Sequence, residues 1–332
     1  MARDAGSNGA CEVEPQKHDP VVSFVADDAY VMPLAAAISS VMANLAENCA
    51  LDIAIVDAGI TPEHKAKINR LADGCRIRIG WLEPSEAQRE TVASLPVGFV
   101  GRSCYFKMLI PDLLGESQRR AIYLDSDVIV ESDISALWTM AFNGNAVLAA
   151  RDMLNPCVSS PFGVGNWKAL GRDSADPLFN SGVLVMNCVK WRQDDIFGKL
   201  VAYLHDSYQH VRLCDQDALN AVLGRSWGRL DPLWNVLPRM KTARRYSLFD
   251  KARHEALVEK ARALHFCGPG KPWEYLCSHP RRDRFFHYLD QTSWAGWRPK
   301  ATAICTNTFS YYTRRMRRAA NRAAARVKMR RS

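Results

Sequence analysis

The sequence predicts an α/β fold, with one domain built on a mostly parallel, twisted sheet. Three observations support this. Short apolar runs alternate with longer helical segments from residue 21 onward, several of these runs end in aspartates, and neither a repeat nor a linker interrupts residues 21–290. Repeated strand–helix–strand order is typical of doubly wound sheets, whose ligands bind beyond the carboxyl ends of the strands.

The first part of the domain alternates regularly between strand and helix patterns. It contains predicted strands at 21–25, 51–56 and 76–81, and predicted helices at 33–45 and from residue 62. Thr61 is placed to cap the second helix, and Pro62 suits its first turn. The first strand runs into Asp27 and Asp28, so we expect carboxylates at the edge of the sheet where ligands bind.

The second part continues the pattern with less regular spacing. It contains predicted strands at 121–124, 147–150, 181–187 and 263–266, and predicted helices at 103–114, from residue 191 and at 213–223. Asp152 follows one of these strands, and Asp215 and Gln216 lie near the start of the last helix.

Composition and targeting features indicate a globular protein on the cytoplasmic side of the membrane. The chain has 332 residues, of which 48% are hydrophobic and 24% charged. Its ten cysteines include no Cys-x-x-Cys pair, which argues against a zinc ribbon, and free thiols are expected. Residues 1–20 are polar and do not resemble a signal peptide, and the weakly apolar stretch 31–46 is too short and polar to span a bilayer.

The acidic motif Asp125-Ser126-Asp127 is the first candidate for chemistry. Side chains two residues apart on an extended chain point the same way, so both carboxylates can face one hard cation. A solvated turn is the alternative reading. The apolar segments on both sides, 121–124 and 128–130, favour the metal because buried unpaired carboxylates are costly.

His265 ends a short apolar run and precedes a loop that contains Gly268, Gly270 and Lys271. A lone histidine on a strand can simply be a hydrogen-bonded core residue. Glycine-rich backbone, however, can approach phosphate oxygens closely, and the lysine adds positive charge. A third metal ligand followed by a diphosphate-binding loop is therefore a coherent interpretation.

Six segments together resemble glycosyltransferase family 8, and within it the bacterial lipopolysaccharide α-galactosyltransferases and glucosyltransferases. They are Phe24-Val25-Ala26-Asp27-Asp28, Asp57-Ala58-Gly59-Ile60, Tyr123-Leu124-Asp125-Ser126-Asp127, Phe179-Asn180-Ser181-Gly182-Val183-Leu184, Asp215-Gln216-Asp217-Ala218-Leu219-Asn220 and the run from His265 to Trp273. They occur in the family's order over residues 21–275. The resemblance implies a GT-A-like, Rossmann-type domain.

The resemblance also implies roles for the matching positions. The implied metal ligands are Asp125, Asp127 and His265, for Mn²⁺ or alternatively Mg²⁺. The implied donor-binding residues are Val25, Ala26, Asp27, Asp125, Ser126, Asp152, Asn180, Gly268 and Lys271. The implied catalytic residues are Gln216, Asp215 and Lys107. Among these, Val25 and Asp27 would hold the uracil, whereas Gly268 and Lys271 would contact the diphosphate. The implied sugar pocket is lined by Asp152, Asn180, Asp215 and Gln216.

The expected function is retaining transfer of a hexose, galactose or glucose, from a UDP-sugar to a saccharide acceptor such as lipopolysaccharide or another cell-surface glycan. Front-face attack is favoured over double displacement because the amide of Gln216 is a poor nucleophile. One alternative is a metal-dependent phosphohydrolase of the haloacid dehalogenase type, whose nucleophile motif resembles the segment around Asp125. That motif normally lies on the first strand of its domain. The other alternative is a non-catalytic scaffold that binds nucleotide sugars.

The segment 291–332 is expected to be a basic, helical tail. The net charge of the chain is +9, and nine lysines and arginines lie within residues 311–332, which contain no acidic residue, so the rest of the chain is about neutral. A basic helix with interfacial aromatic residues is typical of binding to an anionic membrane surface, here the inner face, near a lipid-linked acceptor. A disordered solubilising tail is the alternative. Nucleic-acid binding is not expected, because the body is neutral and offers no stacking platform.

Overall fold

A computed structural model describes residues 20–72, 76–97, 101–237 and 247–300. Its strands are β1 Val21–Ala26, β2 Leu51–Asp57, β3 Ile77–Leu82, β4 Arg120–Leu124, β5 Val128–Val130, β6 Val147–Arg151, β7 Phe179–Asn187, β8 Gly228–Arg229 and β9 Ala263–His265. Its α-helices are α1 Val31–Ala43, α2 Pro62–Asn69, α3 Glu86–Ser94, α4 Ile110–Leu113, α5 Ser135–Trp138, α6 Cys188–Gln193, α7 Ile196–Asp206, α8 Asp215–Leu223, α9 Lys251–Glu259 and α10 Arg282–Leu289.

The central sheet has the order β3-β2-β1-β4-β7-β6-β8. The pairs β3–β2, β2–β1, β1–β4 and β6–β8 are parallel, whereas β7 runs antiparallel to both of its neighbours. The predicted mostly parallel sheet is therefore confirmed. The buried apolar residues pack on both of its faces, as the doubly wound pattern requires.

The reversed strand β7 determines which residues meet at the ligand-binding edge. Because β7 is antiparallel to β4 and β6, its first residues lie beside the last residues of those strands. Asn180 near the start of β7 therefore reaches the edge at which Asp125 follows β4 and Asp152 follows β6. A parallel β7 would have carried Asn180 to the opposite edge of the sheet.

A small second sheet places His265. Strand β5 pairs antiparallel with β9, and Val128 lies opposite His265 in this register. The amide of Phe266 also donates to the carbonyl of Asp127 at 3.0 Å. The ladder thus brings the end of β9 directly beside the acidic motif, across a sequence separation of nearly 140 residues.

Local signals explain most helix positions and two departures from expectation. The hydroxyl of Thr61 caps α2 as predicted. Residues 103–114 do not form one α-helix: Ser103–Leu109 is a 3-10 helix, followed by the short α4. Pro111 has no N–H to bond the carbonyl of Lys107, and the amide of Ile110 bonds that carbonyl instead. The unpredicted helix α3 carries a capping box between Ser85 and Gln88, a signal that the sequence did contain.

The C-terminal end of the described chain packs against the body. Trp294 contacts the core beside α10, and Arg298 forms a salt bridge of 2.6 Å with Asp290. The basic segment 311–332 and the N-terminal residues 1–19 lie outside the described residues. Within the described residues, no helix is both long enough and apolar enough to span a membrane.

Candidate active site

Three potential metal ligands converge at the edge of the central sheet. The Nε2 atom of His265 lies 3.2 Å from Oδ1 of Asp127 and 3.5 Å from Oδ2 of Asp125. One ligand atom from each of the three residues falls within 4.8 Å of the others. His265 and Asp127 are buried, and Asp125 is partly exposed, so the cluster opens to solvent on the side of Asp125.

This donor set fits a divalent cation. Two carboxylates and one imidazole can share a single ion, and carboxylate oxygens suit Mn²⁺ and Mg²⁺. Room for the imidazole depends on Gly182 in β7, because a Cβ there would lie 2.2 Å from Cε1 of His265. The second ring nitrogen, Nδ1, is held by the side-chain oxygen of Asn235 at 2.9 Å, an arrangement common for metal-binding histidines.

Lys271 provides positive charge on the outer side of the acidic motif. Its Nζ contacts Oδ2 of Asp127 and donates to the carbonyl of Phe266 at 2.8 Å. Burial raises the pKa of Asp127, but its interactions with Lys271 and His265 together more than offset this and hold that pKa below its usual range. Asp127 is therefore a carboxylate at neutral pH.

Lys107 lies fully buried between two carboxylates. Its Nζ lies 2.9 Å from Oδ1 of Asp125 and 2.8 Å from Oδ2 of Asp215. Burial lowers the pKa of Lys107, but the two carboxylates outweigh burial and hold the pKa well above its usual value. The hydroxyl of Tyr123 also donates to Asp125, at 2.5 Å. These contacts fix the orientation of Asp125 from inside the protein.

The predicted sugar-pocket residues form one buried group. Asn180 donates to the side-chain oxygen of Gln216 at 3.0 Å, and the side-chain nitrogen of Gln216 donates to Asp152 at 3.1 Å. Burial raises the pKa of Asp152. Asp215 accepts from the hydroxyl of Ser181 at 2.7 Å in addition to Lys107. The structure thus brings together all four residues expected to line this pocket.

The predicted nucleotide-binding residues lie at the end of β1. The hydroxyl of Ser126 donates to the carbonyl of Val25 at 2.8 Å, and the carbonyl of Ala26 accepts from the amide of Ala58 at 3.0 Å. The Oδ1 atom of Asp27 is buried without a hydrogen-bond partner among the described residues. An unsatisfied carboxylate oxygen at this position can accept a hydrogen bond from a ligand.

The loop after β9 is held by its own chain. Gly268 and Gly270 have positive φ angles of 78° and 84°, which glycine adopts without strain. The carboxylate of Glu274 accepts from the amides of Gly270 and Lys271 at 3.0 and 3.2 Å. These hydrogen bonds hold the loop in one conformation, in which the ammonium of Lys271 contacts Asp127.

Sequence reasoning did not assign roles to Tyr123, Ser181, Gly182 and Asn235. The first three lie inside segments that carried the family resemblance, so their presence was visible while their contacts were not. The available signal for Asn235 was a single polar residue within the otherwise apolar stretch 233–237. Its burial, which the structure shows, requires hydrogen-bond partners.

The comparisons with known proteins decide the family. The model of glycosyl transferase family 8 matches residues 21–277, which is well over half of the chain. The chain belongs to this family. General stress protein A of Bacillus subtilis is 29% identical and covers 84% of this chain and 96% of its own. Lipopolysaccharide 1,2-glucosyltransferase of Escherichia coli is 24% identical and covers 84% of this chain and 80% of its own.

Solved structures agree on the fold of this family 8 enzyme. Galactosyltransferase LgtC, in complex with donor and acceptor sugar analogues, superposes with a TM-score of 0.68, at 24% identity, over 82% of this chain and 96% of that one. Glycosyltransferase GlyE of Streptococcus pneumoniae superposes with a TM-score of 0.62, at 21% identity, over 89% of this chain and 65% of that one.

These comparisons confirm the predicted family, its GT-A-like fold and, with the family, an enzyme that transfers a sugar. Neither the phosphohydrolase nor the non-catalytic scaffold is favoured. As a glycosyltransferase, the protein takes a donor and an acceptor sugar, and its Asp125, Asp127 and His265 form a group suited to a divalent metal.

Proposed function

We propose that this enzyme transfers galactose or glucose from a UDP-sugar to a saccharide acceptor with retention of anomeric configuration, using Mn²⁺ in preference to Mg²⁺. The observation that carries the proposal is the convergence of Asp125, Asp127 and His265, beside the buried Lys107 and the half-buried Lys271, at the ligand-binding edge of the sheet. This combination of hard donors and fixed cations suits a sugar diphosphate.

Different residues would hold the uracil and the diphosphate of the donor. Asp27, with its unsatisfied carboxylate oxygen, would accept from the uracil, and the backbone of Val25 and Ala26 would flank the base. Ser126 keeps the end of β1 in place through the carbonyl of Val25. Gly268 and Lys271 would contact the diphosphate, because a positive-φ glycine permits close approach and the ammonium is fixed.

Leaving-group stabilisation would fall to Lys271 and the metal. Asp125, Asp127 and His265 would hold the cation, which supplies Lewis-acid stabilisation of the departing diphosphate when bound. Lys271 is held against Asp127 and the carbonyl of Phe266, so its charge needs no reorganisation as negative charge develops. Lys107 holds the carboxylates of Asp125 and Asp215 in place through its two ion pairs.

The sugar itself would lie against Asp152, Asn180, Asp215 and Gln216. The side-chain oxygen of Gln216 accepts from Asn180 at 3.0 Å and from the amide of Ser181 at 3.3 Å. Those bonds occupy the oxygen that a double displacement would need as nucleophile. We therefore favour attack by the acceptor on the same face from which UDP leaves, with Asp215 orienting the sugar hydroxyls.

The acceptor we propose is lipopolysaccharide or another cell-surface glycan that is linked to a lipid and reached at the membrane surface. The name of the Escherichia coli relative supports the first part, since that protein is a lipopolysaccharide glucosyltransferase. The basic segment 311–332 supports the second, because each cation near an anionic leaflet contributes about 1 kcal/mol. In this organisation, 21–290 is the transferase domain, 1–20 precedes it, and 291–332 ends in a membrane-associating tail on the cytoplasmic side.

A panel of UDP-sugars tests the proposal. The purified protein is incubated with each sugar and with Mn²⁺, Mg²⁺ or EDTA, and slow release of UDP is followed. We expect metal-dependent release from UDP-galactose or UDP-glucose and none from the corresponding GDP-sugars. Absence of release from every UDP-sugar, together with a phosphoenzyme trapped at Asp125, would replace the proposal with the phosphohydrolase.

A further inference from the structure

We propose that Asn235 is a positioning residue that sets the orientation of both the metal ligand His265 and the sugar-pocket residue Gln216. The inference deepens the proposed function and rests on it for the identity of the two sites. The observation behind it is a chain of side-chain hydrogen bonds that runs between the sites through the protein interior. Asn235 itself is 1% exposed, so it contacts neither solvent nor substrate.

The series consists of four hydrogen bonds between side chains, all of ordinary length. Nδ1 of His265 lies 2.9 Å from Oδ1 of Asn235, and Nδ2 of Asn235 lies 2.9 Å from Oδ1 of Asn180. Nδ2 of Asn180 lies 3.0 Å from Oε1 of Gln216, and Nε2 of Gln216 lies 3.1 Å from Oδ2 of Asp152. All five side chains are buried, so none of these groups can exchange its partner for water without cost.

Two backbone amides determine which atom donates and which accepts along this series of hydrogen bonds. The N–H of Gly182 donates to Oδ1 of Asn180 at 3.0 Å, and the N–H of Ser181 donates to Oε1 of Gln216 at 3.3 Å. A backbone N–H can only donate, so both side-chain oxygens are fixed in place and both side-chain nitrogens must point onward. The side-chain oxygen of Asn180 therefore faces Asn235, and the NH₂ group of Asn235 donates to it.

The consequence at the metal site is a fixed tautomer of His265. Because the NH₂ of Asn235 faces Asn180, its oxygen faces the imidazole and accepts from Nδ1–H. A neutral imidazole protonated at Nδ1 presents an unprotonated Nε2, here 3.2 Å from the carboxylate of Asp127. The amide of Gly182 in β7 thus acts through Asn180 and Asn235 to hold the ring of His265 with Nε2 free to bind a cation.

The consequence at the sugar pocket is a fixed amide of Gln216. Its oxygen is committed to Asn180 and Ser181, and its NH₂ is directed to Asp152. The other oxygen of Asp152 accepts from the amides of Leu154 and Asn155, both at 2.7 Å. The chain therefore ends on a carboxylate, and aligned bonds that end on a charge strengthen one another.

Two substitutions at Asn235 separate its effect on His265 from its effect on Asn180 and Gln216. In Asn235→Asp, an ionised carboxylate still accepts from Nδ1–H of His265 but offers no donor to Asn180. We expect Mn²⁺ affinity within about threefold of wild type and UDP release at least about tenfold slower, at a pH of about 8. In Asn235→Ala both bonds are lost, and we expect Mn²⁺ affinity to fall about 10- to 100-fold along with turnover.

Mn²⁺ binding is measured by the electron paramagnetic resonance signal of free Mn²⁺, with and without UDP, and folding by circular dichroism. Asn69→Asp and Asn69→Ala, at the end of α2, are matched controls and should leave both readouts unchanged. Wild-type Mn²⁺ affinity in a folded Asn235→Ala would overturn the proposal. If wild type itself fails to bind Mn²⁺ or to release UDP, the proposed function fails instead.

Discussion

The imidazole of His265 occupies the space that a side chain on Gly182 would need. A Cβ on Gly182 would lie 2.2 Å from Cε1 and 2.6 Å from Nδ1 of the ring, and 3.0 Å from Oδ2 of Asp125. The carbonyl of Gly182 meanwhile accepts from the amide of Asp125 at 2.8 Å, which holds this part of β7 against the acidic motif. The glycine is therefore required by close approach and not by a turn.

Gly182→Ala should displace the imidazole and weaken metal binding by at least about tenfold, since groups that orient a metal ligand typically have effects of 10- to 100-fold. Isothermal titration with Mn²⁺ measures the change. Gly80→Ala is the control, because that glycine also lies in a strand of the central sheet and a Cβ there would meet nothing within 4 Å. Equal Mn²⁺ affinities in the two variants would contradict this interpretation.

Asp127→Asn should abolish metal-dependent UDP release while the protein remains folded. The amide removes one anionic ligand and leaves the neighbouring Lys271 without its carboxylate partner. We expect a loss of at least about 100-fold in rate, measured as UDP released per enzyme. Asp231→Asn, at an exposed helix cap that asparagine also supports, should keep wild-type activity. Turnover like that of wild type in Asp127→Asn would refute the metal assignment.

Lys107→Met should destabilise the fold as well as inactivate the enzyme. The substitution leaves the buried carboxylate of Asp215 and the partly exposed carboxylate of Asp125 without their shared cation. Removing one partner of a buried ion pair costs about 3–5 kcal/mol of unfolding free energy, measurable by urea denaturation. Lys190→Met breaks only the exposed pair with Asp194 and should cost less than about 1 kcal/mol. Similar losses in both variants would show that the buried pairs contribute little.

Asp217 should make stability depend on pH. Its Oδ2 accepts from the amides of Arg212 and Leu213 at 2.5 and 2.9 Å, while Oδ1 is buried without a partner among the described residues. Burial raises its pKa from 3.8 to about 6. The folded state therefore binds this proton more tightly, so the associated stability is full below pH 3.8 and is lost as pH rises through about 6.

Asp217→Asn removes that titration. The unfolding free energy of the variant relative to wild type should therefore rise between pH 4 and pH 7, by roughly 3 kcal/mol at most, since each pKa unit corresponds to about 1.4 kcal/mol. Thermal unfolding at a series of pH values measures the difference. Asp206→Asn, at an exposed position of α7, should show no such trend. A flat difference for Asp217→Asn would disprove the role of this carboxyl.

Deletion of residues 311–332 should abolish binding to anionic vesicles and leave the body soluble and active on a water-soluble acceptor. The reason is that all nine cations of the segment are lost while the remaining chain is about neutral. Co-sedimentation with vesicles that contain phosphatidylserine measures binding, and neutral vesicles serve as the control. Unchanged sedimentation after the deletion would refute the membrane anchor.

Some parts of the site could be predicted because their signals are local. A buried strand that runs directly into Asp125 and Asp127 indicated carboxylates at the edge of the sheet. The expected extended chain at this motif was wrong, because the amide of Val128 donates to the carbonyl of Asp125 at 3.0 Å, so the two carboxylates lie on a tight turn between β4 and β5. The motif order likewise indicated His265 as a third ligand. Helix α3 was equally local, through its capping box at Ser85, and was overlooked. The 3-10 helix Ser103–Leu109 was less accessible, because Pro111 explains only the hydrogen bond to the carbonyl of Lys107 near the end of that segment.

The sequence by itself determined the alternation of strands and helices, the acids at the strand ends and the residue types that hold a metal and a diphosphate. Only the tertiary structure decided that β7 runs antiparallel, that β9 pairs with β5, and that Asn235 joins His265 to Asn180. The physical reason is the separation along the sequence over which each kind of interaction acts. Periodicity and capping act within a few residues, whereas strand direction, register and buried hydrogen bonds depend on which distant segments meet when the core is packed.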